Sequence, residues 1–249
     1  MSVFDQLSTT YLLFSGVIVL IASLVRGYSG FGFTAIAIAG LTIFLPPAQV
    51  IPAILLIEII AGVSLLPSVF KYINYRQLGF TFFAALVSTP LGVFFLKNTH
   101  SDTISLVISV LVLIFTLLLW RGFRINDTSK TGRLLFSGAT SGLVNGVAGV
   151  GGLPMVVFFL SGQQDIYQIR ATLLSYLILL DIYTCLFATA AGVITYDVLA
   201  LAAAAFIPAM IGTILGNKKF LKSPPEFFRK ITLCFMAAIA SVGIIREIL

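Results

Sequence analysis

Charge is what this chain has least of. Only 10% of its 249 residues are charged, against 59% hydrophobic, and the mean hydropathy is +1.10. Too little polar surface is encoded to clothe a soluble globule, so the composition indicates an integral membrane protein. Histidine occurs once, at His100, in a polar loop, and cysteine twice, at Cys185 and Cys234, both in apolar runs. There is therefore no metal-binding His pair, no Cys-x-x-Cys and no disulfide framework, and the cysteines read as packing residues. No phosphate loop ending in Gly-Lys-Ser/Thr is present, and the glycine clusters lack the strand context of a dinucleotide fingerprint. No metal, cofactor or enzymatic constellation is expected. The net charge of +6 would suggest nucleic acid in a soluble domain, but most Lys and Arg lie between apolar runs and carry orientation information instead.

What is present is a series of apolar runs with the length of membrane-crossing helices and none of the alternation of barrel strands. Ten segments are read, at about 9–25, 30–45, 48–69, 77–96, 103–120, 133–147, 151–162, 166–190, 196–216 and 229–247. The class is all-α and polytopic. The first run could pass for a signal peptide, but its leader holds Asp5, has no Lys or Arg and lacks a small-residue cleavage pattern, so it is read as mature protein.

The chain is organised around Arg26-Gly27-Tyr28-Ser29-Gly30-Phe31-Gly32-Phe33, which recurs, altered, as Asn145-Gly146-Val147-Ala148-Gly149-Val150-Gly151-Gly152. Arg26 and Asn145, Gly27 and Gly146, Gly30 and Gly149, Gly32 and Gly151, and Gln49 and Gln168 share one offset; Gly92 and Gly212 follow with a drift of one residue. Each copy separates two short apolar segments, which form either a hairpin or one broken helix. With hairpins, Lys71, Arg76, the basic linker from Arg121 to Arg133 and the basic loop at 218–230 all share one side. With broken helices that bias disappears, so the positive-inside rule favours five plus five segments with both termini outside the cytoplasm. The expected organisation is one transporter domain: repeat A at 9–120, a linker at 121–132 and repeat B at 133–247. An odd number of segments per repeat makes the two copies inverted.

A glycine-rich break at bilayer depth is tolerated where its backbone is buried in protein or lines a polar cavity. After each break a helix begins, at about Phe31 and about Gly152, with unpartnered N–H groups and the positive end of its dipole, which is a ready anion site. Glycine admits close approach of a ligand, and Ser29 adds a hydroxyl. The candidate substrate-binding residues are thus Arg26, Gly27, Ser29, Gly30, Gly32, Asn145, Gly146, Gly149, Gly151 and Gly152. Arg26 would be the counter-charge, its fork matching a carboxylate, sulfite or sulfonate; as a helix-end arginine it could equally snorkel to headgroups. Gln49, Gln168 and Ser175 are weaker candidates for polar contacts. Glu58 and Asp181 lie within apolar spans, where a carboxyl tends to hold a proton, and are candidates for proton coupling. By the repeat offset Glu58 maps to Leu177, one turn from Asp181. Arg170 is on the same helix face as Asp181 but about 16 Å away along the axis, too far to pair.

These two glycine motifs, the second continuing into Leu153-Pro154, resemble the duplicated motif of the sulfite exporter TauE/SafE family, also called the toluene sulfonate uptake permease family. Arg170-Ala171-Thr172-Leu173-Leu174-Ser175 is similar to that family's Ala-x-x-x-Ser helix, and the resemblance spans nearly the whole chain. It implies movement of a small sulfur-containing anion, sulfite or an organosulfonate such as sulfoacetate, across a bacterial inner membrane. Phe31 and Phe33 stand where many members are more glycine-rich, and could wall the carbon portion of an organosulfonate. Export is the simpler direction, because an inside-negative potential resists anion uptake by about 2.3 kcal/mol per charge per 100 mV. The expected partners are the anion, the bilayer and, for a chain this small, a second copy as homodimer, with no nucleic acid. A channel-like anion pore and a membrane-embedded sulfur-anion sensor remain as alternatives.

Overall fold

The computed structural model describes residues 9–29, 32–122, 130–160 and 165–220, with isolated positions at 237 and 241. Among them are nine α-helices: α1 (Thr9–Ser29), α2 (Phe33–Leu41), α3 (Pro47–Val69), α4 (Tyr75–Asn98), α5 (Ser101–Trp120), α6 (Thr131–Ala148), α7 (Gly152–Leu160), α8 (Ile166–Ala190) and α9 (Tyr196–Phe220). A 3-10 turn, Phe70–Tyr72, joins α3 to α4. Five of these helices, α3, α4, α5, α8 and α9, are long and apolar enough to cross a membrane. The tenth expected segment, 229–247, lies almost wholly outside the described residues, as does Cys234.

The two short helices have nine residues each, about 13.5 Å of rise, or less than half of a hydrocarbon core roughly 30 Å thick. At segments 30–45 and 151–162 they are therefore of half-membrane rather than full transmembrane length. Both fold back on the helix before them. A side chain at Gly40 in α2 would meet Ile18 of α1 at 2.8 Å, which places the two antiparallel. In the second pair the Ser141 hydroxyl donates to the Gly151 carbonyl at 2.6 Å, so the chain has reversed beside α6. The hairpin alternative holds for both breaks.

Each hairpin is clamped by a distant helix: α6 packs along α4, and α1 along α9. The α4–α6 crossing is made of small residues at four-residue spacing. Gly138, Gly142 and Gly146 on α6 face Thr81, Ala85, Thr89 and Gly92 on α4, and an added Cβ on Gly146 would lie 2.5 Å from the Thr89 carbonyl oxygen. Backbones approach this closely only where side chains are missing, the usual basis of helix association in lipid. The same device recurs at α1–α9, where Gly212 faces Ser23 and the Leu20 carbonyl. The outer face of α4 carries exposed Phe83, Val87, Leu91 and Phe94, while Thr81, Ala85 and Thr89 are buried; polar residues inside and apolar ones outside suit a lipid surround.

Between these clamps, α3 and α8 pack on each other, α3 also on α9 and α8 also on α4. Pro46 precedes α3 and Pro47 is its first residue, where a missing N–H costs nothing. Pro90 and Pro208 lie inside α4 and α9, and Pro52 and Pro67 inside α3. His100 is exposed ahead of α5, and Cys185 is buried and free.

Gly146→Leu is expected to lower the stability of the detergent-solubilised protein by roughly 1–3 kcal/mol or more through overpacking. Gly79→Ala, with nothing within 4 Å, should be neutral or slightly stabilising. Thermal unfolding compares the two, and equal midpoints would rule out the close α4–α6 crossing.

Candidate functional site

Arg26 occupies the last turn of α1 and is 0% exposed. It is thus enclosed by protein and does not reach out to headgroups. Its Nη1 lies 2.9 Å from Oε1 of Glu58, a residue at the middle of α3 that is itself 3% exposed. The pair is close but poorly directed, since none of the guanidinium nitrogens has an N–H aimed at an acceptor. The charges attract while most of the fork's donor capacity stands unused. One turn beyond Glu58, Gly62 makes the room: a Cβ there would meet Arg26 Nη2 at 3.1 Å and Ile178 of α8 at 2.6 Å.

The start of α2 stands beside this guanidinium. Gly32 takes a left-handed conformation, φ 90°, and precedes α2 without any side-chain cap; this φ explains why the helix begins at Phe33, two residues later than the sequence suggests. The Phe33 ring lies 5.8 Å from the Arg26 guanidinium carbon, within cation–π range. Phe33, Thr34 and Ala35 are all buried, so an uncapped, positive helix end and a buried guanidinium adjoin. Gly27 is buried nearby. Gly30, Phe31 and the side chain of Ser29 lie outside the described residues.

The second break is built differently. Gly149, at φ 67°, ends α6, and its N–H donates to the Asn145 carbonyl at 2.8 Å. The Asn145 side chain then fills the turn. Its Oδ1 accepts from the Gly151 N–H at 3.1 Å, and its Nδ2 donates to Asp181 Oδ1 at 3.1 Å and to Thr184 Oγ1 at 3.0 Å. Asn145 and Asp181 are each 1% exposed. Thr184 passes its own proton to the Leu180 carbonyl at 2.8 Å, which completes the network except for Asp181 Oδ2, a buried oxygen without a partner. Gly146 serves the α4–α6 crossing, and Gly152 abuts Leu177.

The two breaks come into one region. Gly149 packs against Ile38 of α2 and Ile51 of α3, and Gly62 of α3 lies against both Arg26 and Ile178 of α8, one turn from Asp181. Arg26, Glu58, Asn145 and Asp181, drawn from four helices, therefore form one buried polar centre with two carboxyls and a single cation. Ser175, on α8, is buried with its hydroxyl unpartnered. Gln49 and Gln168 are half-buried on the first turns of α3 and α8, about two turns or more along the helix from Glu58 and Asp181. Thr184 and Ser141 were not foreseen, although each was readable as a neighbour three or four residues from Asp181 or Asn145 on the same helix face.

Comparison with family models matches residues 15–242 to the family described as Sulfite exporter TauE/SafE. The chain belongs to the sulfite exporter TauE/SafE family. With its apolar helices, that makes it a multi-pass membrane protein of a sulfur-anion transporter family. Comparison with curated proteins and with solved structures finds no match.

Exchanging the partners tests the second half of the centre. Asn145→Asp alone sets a second carboxyl against Asp181 and should destabilise the protein by about 1–3 kcal/mol. Adding Asp181→Asn restores one amide facing one carboxyl and should recover most of that loss. A double variant no more stable than the single one would mean that the two side chains do not meet.

Proposed function

We propose that this protein is a secondary transporter that exports a small sulfur-containing anion, sulfite or an organosulfonate such as sulfoacetate, across the bacterial inner membrane. The observation that carries this reading is the conjunction at the first break. A wholly buried guanidinium with undirected donors adjoins the uncapped N-terminus of α2, and both attract negative charge. A tetrahedral or pyramidal oxyanion fits the two together, with Arg26 forking two of its oxygens and the N–H groups of Phe33 and Thr34 facing a third. Phe33 offers an apolar wall to any carbon substituent. The second break contributes Asn145 and Asp181 as the far side of the site rather than an equal anion nest, because its Gly151 N–H is already engaged.

Arg26 has no exposed surface, so an anion reaches it only when helices move. The packing supports two inverted repeats, interlocked so that each moving unit takes its hairpin from one repeat and its long helix from the other. α1 lies on α9 as α6 lies on α4, α3 meets α9 as α8 meets α4, and α3 and α8 meet at the centre, which is the pattern of contacts a two-fold relation between 9–120 and 133–247 produces. With each hairpin returning to the side it came from, α3, α4 and α5 cross in turn. The basic loops at 71–76, 121–133 and 218–230 then share the cytoplasmic side, and the first residues lie opposite. Export agrees with the sulfite-exporter description of the family. The bilayer is the surround, and a homodimer would suit a chain of this size.

Purified protein in liposomes should show saturable flux of labelled sulfite or of a small organosulfonate. Arg26→Ala removes a charge-assisted contact of about 1.5–3 kcal/mol and should weaken apparent affinity roughly tenfold to a hundredfold. Unsaturable flux would point to a channel-like pore, binding without flux to a sensor, and unchanged flux in Arg26→Ala would remove the anion site from this arginine.

A further inference from the structure

We infer that Glu58 is a displaceable stand-in for the transported anion: it holds Arg26 when the site is empty and gives it up, taking on a proton, when the anion binds. This rests on the transport reading above and adds the coupling to it. Three observations lead here. Glu58 Oε1 sits against Nη1 of Arg26 at 2.9 Å, in the position one oxygen of a bound oxyanion would take. The pairing leaves the guanidinium donors undirected, so it is a charge contact without the paired hydrogen bonds that would make it hard to break. And the centre is sealed from water, so neither partner can be left charged and alone without a cost of several kcal/mol.

Charge accounting follows from that seal. With the site empty, the guanidinium is balanced by the Glu58 carboxylate. If an anion takes the guanidinium while Glu58 keeps its charge, the region holds two negative groups beside Asp181. If the Glu58 oxygen gains a proton from the water on the side then open, Arg26 stays protonated, the anion replaces the carboxylate as its partner, and the sum is unchanged. Among the described residues, the titratable groups around Glu58 are Arg26 of α1, against its carboxylate, and Asp181, Tyr176 and Cys185, buried on α8. α2 carries no titratable side chain, and α4, α5 and α9 carry theirs near their ends. One proton therefore accompanies each monoanion in the same direction. Membrane potential drops out of the driving force, leaving the anion's own gradient and the pH gradient.

The probe is ethanesulfonate, a strong-acid anion whose charge is constant across the working pH range. In solubilised wild type, binding measured calorimetrically in buffers of different ionisation enthalpy should take up about one proton per anion, and infrared difference spectra should show a carboxylic acid band appearing on binding. That band and the proton uptake should both vanish in Glu58→Gln. In liposomes, wild-type flux should rise up to roughly tenfold per unit of acidification on the anion side and ignore an imposed potential. Glu58→Gln should lose the pH dependence and become sensitive to potential. Binding and flux of ethanesulfonate in wild type with no proton taken up, which needs no variant, would overturn the exchange and leave the transport reading standing. Proton uptake that survives Glu58→Gln but is lost in Asp181→Asn would also overturn it. If neither ethanesulfonate nor sulfite binds or moves, the substrate reading fails, and this inference fails with it.

Discussion

Burying an arginine is the constraint from which most of this structure can be understood. A guanidinium removed from water must be compensated, and in a chain with few acidic residues the compensation is a single carboxylate reached from another helix. Satisfying it demands that α1 stop at the right depth, that the chain turn away without crowding the charge, and that α3 present Glu58 at its middle. The glycine-rich break supplies the first two, and Gly62 keeps α3 from filling the space the guanidinium needs. Replacing such a pair with apolar residues would commonly be neutral or stabilising. Its retention at the meeting point of two helix breaks is therefore better understood as function than as architecture.

The two breaks are similar in sequence but are satisfied differently. In the first, arginine stands at the position where the second has asparagine. Asparagine is both donor and acceptor, so it closes its own turn: it accepts from Gly151 and donates to Asp181 and Thr184. Arginine can only donate, so it cannot cap the helix end that follows and must look elsewhere for negative charge. Asparagine or arginine at this position thus separates a self-satisfied turn from one whose side chain must find negative charge on another helix. The asymmetry lets a pair of similar hairpins build one site rather than two.

How much of this could be read from the residues depends on the range of the interaction. Apolar length marked the helices, and glycine clusters marked the breaks, because both are local signals. The positive-inside rule preferred hairpins over broken helices, and the Gly40–Ile18 contact bears that preference out. The start of α2 shifted from Phe31 to Phe33 because a left-handed φ at Gly32 cannot be seen in composition. Arg26, Glu58, Asn145 and Asp181 could each be singled out as costly in an apolar span, but not paired with one another. Whether two residues on different helices meet depends on how those helices rotate about their axes and how deep each lies, and neither quantity is written in local sequence.

Packing also says where the molecule can yield. The α4–α6 and α1–α9 crossings bring backbone against backbone through small residues, and atoms in such contact cannot slide without losing many close contacts at once. Each crossing binds one hairpin to a long helix, making two stiff units. The α3–α8 crossing differs: at Gly62 it is the flexible end of Ile178 that fills the gap, and a side chain can change rotamer where a backbone cannot. Glu58 and Asp181 lie on these two helices, and the charge that holds Glu58 in place is Arg26, from a stiff unit. Loss of that charge contact would free α3 from the α1–α9 unit beside the α3–α8 crossing, the softer of the contacts. On the transport reading proposed above, binding of an anion at Arg26 and movement of the two units past each other would be coupled by this one ion pair.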